Sequence, residues 1–187
     1  EEKNAIYVPS KDILVVKGQE VPTQQGHLLV LGLGYDKHIK QYKNLEDTIK
    51  EARNKNATVI ADHPFFVEGI GNYLRENHNE MMKHIDAIEV HNGEAEIFSL
   101  PGFSSRANWR ARNLFNTIVT YPTGAISTSD GHSFYELGTS WTEIDEIDRN
   151  NFLESLRKSI QNTKYADRQD SKSRIGAIDH ILDLIWI

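Results

Sequence analysis

The sequence predicts an α/β fold, and three observations carry that reading. Short runs rich in Val, Ile and Leu alternate with helical patterns, and each run breaks at Gly, Pro or Asp. Residues able to bind a metal recur at those breaks: Glu20, His27, His63, Asp130 and His132. The order strand, helix, strand, helix, strand implies parallel pairing with right-handed crossovers. Such folds place their chemistry in the loops outside the carboxyl ends of the strands.

The elements follow in order. Ile13 to Val16 reads as a buried strand ended by Gly18, whose exit loop carries Glu20. His27 to Leu33 reads as a second strand, closed by Gly32 and Gly34. Asn44 caps a helix with Glu46 and Asp47 in its first turn and Lys50, Arg53 and Lys55 toward its end, matching the helix dipole at both termini. Thr58 to Ala61 is a strand that Asp62-His63-Pro64 terminates, because the residue before proline is pushed out of the helical region. Asn72 to Lys83 has a helical pattern, Ala87 to Val90 is a strand, and Arg106 to Phe115 is a helix with Ala107, Ala111 and Leu114 on one side. Ala125 to Thr128 is a strand ending at Ser129-Asp130. The helical segment from about 148 to 187 closes the chain: Asp148 to Gln161 with Phe152, Leu156 and Ile160 inward, then an apolar helix from Ser173. Between them Thr163 to Ser173 is polar, with little to bury, and reads as flexible.

Composition sets the outer bounds. With 187 residues, 39% hydrophobic and 26% charged, the expectation is a single domain over residues 1–187. A formal net charge of -6 argues against a broad nucleic-acid surface, which would need clustered Lys and Arg. Without cysteine there is no disulfide framework and no thiolate zinc site, so any metal must be held by His, Asp and Glu. No apolar run approaches the roughly 20 residues that span a bilayer, and no signal core precedes the first strand, so the expected location is the cytoplasm. Residue 1 is Glu, so the numbering is expected to start inside a longer translation product or after a removed segment.

A divalent metal that activates water needs anionic or imidazole ligands converging from several strands, with a coordination position left open. Glu20 and His27 lie seven apart, natural for two strand ends joined by a turn, and His63 could complete a site with them. Asp130 and His132 alternate in extended chain and so project to one side. Taken singly, a His at a strand end is more often a hydrogen-bonded structural residue, and a Glu in a turn is usually solvated. Jointly, successive strand ends bearing such residues point to a metal site, with room for two neighbouring ions.

Over nearly the whole chain, ordered segments carry a resemblance. These are Val16 to Thr23, Gly26 to Gly32, Val59 to Phe65, Asp86 to Gly93 and Ser129 to His132. Together they resemble the motifs of the PHP (polymerase and histidinol phosphatase) family, and most closely its small metal-dependent phosphoesterase branch. The resemblance implies a distorted (β/α)7 TIM-like barrel with a di- or trinuclear centre at its carboxyl-end mouth. By that similarity Glu20 would bridge metals, His27 and His63 would bind one of them, and Asp130 and His132 the others. Two or three divalent ions (Zn, Mn or Fe) would promote attack of water on a phosphate ester of a nucleotide, short oligonucleotide or sugar. The family begins with a His-x-His strand and a Thr-Asp-His strand end, and this sequence contains neither. The barrel is therefore expected to be incomplete at its N-terminus, with Glu20, His27 and His63 as its most complete site. A degenerate, non-catalytic PHP-like module is the alternative. An amidohydrolase acting on C–N bonds would want a strand-end lysine, and none is so placed.

Lesser candidates surround these ligands. Glu89 could ligate or support a ligand, Asn92 could bind substrate or shape its turn, and Asp62 could partner His63 or lie exposed. Arg106, Arg110 and Arg112 fit a phosphate clamp or a solvated helix face equally. His91 is expected to pack. His38, His78, His84 and His180 are expected at the surface, and Trp109, Trp141 and Trp186 in the core or at partial interfaces.

Overall fold

The computed structural model describes residues 4–97, 106–118, 121–164 and 168–169. The helix expected from Ser173, with His180 and Trp186, and most of the polar stretch between Thr163 and Ser173 lie outside the described residues.

The chain opens with a hairpin, β1 (Ala5–Val8) against β2 (Ile13–Val16), which leaves Ile6, Ile13 and Val15 exposed. Only Lys17 separates β2 from β3 (Gly18–Thr23), which pairs with β4 (Gly26–Leu31). Then follow α1 (Leu45–Asn54), β5 (Thr58–Ala61), α2 (Gly71–Glu76), α3 (His78–Met81) and β6 (Ala87–Asn92). Next come α4 (Gly93–Ile97), α5 (Ala107–Ile118), β7 (Gly124–Thr128), the short β8 (Trp141–Thr142), α6 (Phe152–Gln161) and β9 (Arg168–Gln169).

The α/β class matches the expectation, but the barrel does not. The sheet is open and mixed, in the order β3-β4-β5-β6-β7, with β3 and β7 at its edges rather than paired to each other. Parallel pairing holds only for β5-β6 and β6-β7, whereas β3-β4 and β4-β5 are antiparallel. The cause is local. Gln24 and Gln25 make a two-residue link between Thr23 and Gly26, and a link that short can join only antiparallel strands. Glu20 therefore sits within a strand, not in an exit loop, and His27 near a strand start.

The sheet buries two faces of unequal extent. Val21, Leu28, Val30, Val59, Ala61, Ile88 and Val90 pack with Leu45 and Ile49 of α1, Leu74 of α2 and Leu114 of α5. Ile60, Ala87 and Ile126 face the other way, onto Leu156 and Ile160 of α6. Alternation along the strands puts Glu20, His27 and Glu89 on the α6 side, because their neighbours Val21, Leu28 and Ile88 belong to the first face. The helix cap at Asn44 forms as expected, its side chain accepting the Glu46 N–H at 2.9 Å. The helix expected over 72–83 is broken at Asn77, whose side-chain amide donates to the Tyr73 carbonyl at 2.9 Å and competes with helix continuation. Trp109 and Trp141 are about half exposed, at 55% and 49%, rather than in the core.

Candidate metal centre

The mixed topology gathers the ligands at one edge of the sheet. Because β4 runs against β5, its start lies beside the carboxyl end of β5, and the end of β3 lies there too. Glu20 and His27 thereby meet His63. The Glu20 Oε1 atom is 2.5 Å from His27 Nδ1 and 3.0 Å from His63 Nε2. The two imidazoles stand edge to face with centroids 5.6 Å apart. One ligand atom from each of the three residues falls within 4.8 Å of the others, so the group could hold a metal ion.

Around this group are residues that strand-end reasoning passed over. The Oε2 of Glu68 lies 2.8 Å from His27 Nε2. An imidazole gripped by a carboxylate on its far nitrogen is the usual setting of a metal-binding histidine, since the second bond fixes the tautomer and the ring plane. Glu68 belongs to the loop after Pro64, and that loop folds tightly back: a Cβ on Gly69 would stand 2.3 Å from the His63 carbonyl. His63, Glu68 and Asp130 all have positive φ, of 26°, 55° and 47°; the other non-glycine cases among the described residues are Asp12, Tyr42 and Asn56. Backbone held in that sparsely populated region clusters at functional sites.

A second donor group lies at the ends of β6 and β7. Asp130 and His132 come together as expected, and Glu94 of α4 joins them with its Oε2 3.5 Å from His132 Nδ1. Sequence reasoning missed Glu94 because it inspected strand ends, whereas Glu94 lies two residues beyond the end of β6, on a short helix. Gly93 permits the approach, since a Cβ there would meet the Ser129 carbonyl at 2.8 Å.

Glu89 and Asn92 tie the two groups together. Glu89, 2% exposed, accepts the His63 backbone N–H at 2.5 Å and the Asn92 amide at 3.1 Å, and it also accepts the Thr128 hydroxyl. Asn92 donates in turn to Asp130 Oδ2 at 2.9 Å. Neither residue is exposed, and Asn92 also shapes its own turn as expected, its Oδ1 accepting the Ala95 N–H at 2.8 Å. His91 is buried beside Asn108, as its packing role predicts. His38 and His84 are exposed, and His78 is half-buried. Arg110 stacks on Phe65 at 4.2 Å and bonds Asn72, and Arg112 donates to the Asn108 carbonyl. These two arginines brace their helix in the structure; Arg106 is exposed just ahead of it.

The electrostatics combine close carboxylate–imidazole pairing with burial of further carboxylates. The hydrogen bond with His63 draws Glu20 down to about 2, against its burial and with help from His27. Burial works to lower His63, yet its hydrogen bond with Glu20 and the charges of Asp62, Glu89 and Asp130 raise it to about 9. Burial lifts Asp62 to about 8, Glu89 to about 7 and Glu94 to about 7. Concentrated carboxylates driven toward their protonated forms are the arrangement that a cation at the same place would relieve.

Donor chemistry and spacing both fit a divalent ion. At metal–ligand distances of about 2.0–2.2 Å, neighbouring donors in a tetrahedral shell stand roughly 3.3–3.6 Å apart. The 2.5 and 3.0 Å spacings around Glu20 are somewhat tighter, as hydrogen-bonded pairs are before a cation spreads them. No protein-family model matches this chain, and no curated protein matches it. Among the described residues no helix is long and apolar enough to cross a membrane.

Proposed function

We propose that this chain is a metal-dependent phosphoesterase, with Glu20, His27 and His63 holding one divalent cation and Glu94, Asp130 and His132 a second. The observation that carries the reading is the juxtaposition of the two donor groups through the Glu89–Asn92 bridge. The ordered motifs resembling the PHP phosphoesterases support it from the sequence. Oxygen and nitrogen donors without thiolate suit Zn, Mn or Fe.

Bound at such a pair of groups, divalent cations act as Lewis acids toward a phosphoryl oxygen and lower the pKa of water. The chain's own residues do the rest. Glu20 supplies the negative charge between two imidazoles. Glu68 orients the His27 ring, and Glu89 anchors the backbone that carries His63. The side chains of Glu20 and His132 remain 45% and 51% exposed, which leaves both groups open to a phosphate ester from solvent. A phosphorylated small molecule or short oligonucleotide is the substrate class that fits.

The test is His63→Ala beside the unaltered protein, each loaded with Mn or Zn, desalted and assayed for metal by elemental analysis. A panel of phosphomonoesters and phosphodiesters is screened in parallel. The variant should carry less metal and lose phosphatase activity. Equal metal content in both proteins would sink the assignment, and metal binding without hydrolysis across the panel would favour a non-catalytic module.

A further inference from the structure

Asp62 borders the first donor group of Glu20, His27 and His63 and has no role in the function proposed for it. It is 7% exposed, and its Oδ1 is buried with no hydrogen-bond partner. A carboxylate taken out of water without a compensating partner is among the costlier things a fold can do. Its Oδ2 lies 3.6 Å from His63 Nε2, the same nitrogen that stands 3.0 Å from Glu20 Oε1. That distance exceeds a hydrogen bond, so Asp62 does not serve to orient the ring. It does equal the separation of two adjacent donors around one cation, about 3.3–3.6 Å, although Asp62 lies outside the 4.8 Å group of Glu20, His27 and His63 and its carboxylate would have to turn toward the ion. Neighbouring residues in a strand normally point to opposite faces. Here His63 leaves the strand with φ at 26°, and this turn lets consecutive side chains reach the same point.

We infer that Asp62 is a fourth donor to the first cation, beside Glu20, His27 and His63. The inference rests on the metal-centre reading and deepens it. Two carboxylates and two imidazoles then neutralise a divalent ion, and the buried Oδ1 of Asp62 gains a partner. A second oxygen donor also biases the site toward Mn, Fe or Zn over softer ions.

The test titrates Mn(II) and Zn(II) by calorimetry into protein carrying His132→Ala, so that the first group is read alone. Asp62→Asn and Glu20→Gln are compared in that background. Asp62→Asn should weaken binding at least about tenfold, with Glu20→Gln weaker still. Thermal melts give a second readout in the shift produced by metal, which a merely structural Asp62 would leave unchanged. Asp62→Asn should gain less melting temperature on adding metal than its parent gains. If the Asn variant does not fold, Asp62→Ser is read by the same criteria. Parent-like affinity and metal-induced shift in the Asp62 variant, with binding lost in Glu20→Gln, overturn the inference and leave the metal centre standing. No uptake of either ion by the parent overturns both.

Discussion

Replacing Glu89 by glutamine and by alanine separates what its shape does from what its charge does. The carboxylate accepts three hydrogen bonds in a fully buried position, from the His63 backbone, the Asn92 amide and the Thr128 hydroxyl. Glutamine can keep all three: its oxygen takes the place facing His63 and Asn92, and its amide donates to the Thr128 oxygen, which turns its own proton away. Glu89→Gln should therefore fold with stability within about 1 kcal/mol of the parent. Alanine strands the buried His63 N–H, at about 1–3 kcal/mol, and opens a small cavity besides. Asn92 keeps Asp130, and the half-buried Thr128 can be hydrated, so a total loss of about 2–4 kcal/mol is expected. Metal affinity should fall in both variants, in Gln through loss of a negative charge beside the two donor groups and further in Ala, about 10–100-fold, because the anchor of His63 is also gone. Urea denaturation in chelator measures the first quantity and calorimetric titration with Mn(II) the second. Equal destabilisation by Gln and Ala, or metal affinity untouched in both, would refute the bridging role.

Other outcomes can be checked with the same protein. Asp86, fully buried, takes a two-pronged ion pair from Arg53 and also accepts Val59 N–H and Gln161, so Asp86→Ala should destabilise by about 3–5 kcal/mol in urea. A Cβ at Gly124 would stand 1.9 Å from the Ile160 carbonyl, so Gly124→Ala should lower the melting temperature by pushing α6 off β7, and an unchanged melt contradicts that packing. Glu94→Gln should lower metal stoichiometry by one ion per chain while the ion at Glu20 is retained; loss of both ions would show one site, not two. In chelator, Asp62 at about 8, Glu89 at about 7 and His63 at about 9 all sit above their ordinary values of 3.8, 4.5 and 6.5. Each contributes stability that is full below its ordinary value and lost as pH rises through the folded one. Glu20, held at about 2, contributes above 4.5 and loses it as pH falls through 2. The metal-free melting temperature should therefore decline from pH 6 to pH 9, and a steady rise across that interval would contradict these environments.

What could be read from the sequence was what local chemistry decides. The Asn44 cap, the apolar runs of β5, β6 and β7 and the amphipathic stripe of α6 are written in contiguous residues. The ligands Glu20, His27, His63, Asp130 and His132 were visible as residue types. Their grouping into two sets depends on strand direction, which no single segment encodes. The Gln24-Gln25 turn lacks the Asn-Gly or Asp-Gly signal of a tight hairpin, so the antiparallel β3–β4 pair went unread and a barrel was expected in its place. Glu94 and Glu68 were hidden for a related reason. Each reaches the site from a loop or short helix whose path is set by close backbone approaches at Gly93 and Gly69.

The tight β3–β4 hairpin also sets an order of assembly. Glu20 and His27 are only seven residues apart, and their two-residue turn brings them close, while Glu68 sets the His27 ring from outside the hairpin. Hairpins close in about 1–10 μs, whereas His63 must wait for β5 to dock across an intervening helix. Glu20 and His27 are thus joined by local chain, whereas His63 depends on the docking of β5. A cation that engages that pair early would favour the strand register on which the other ligands depend.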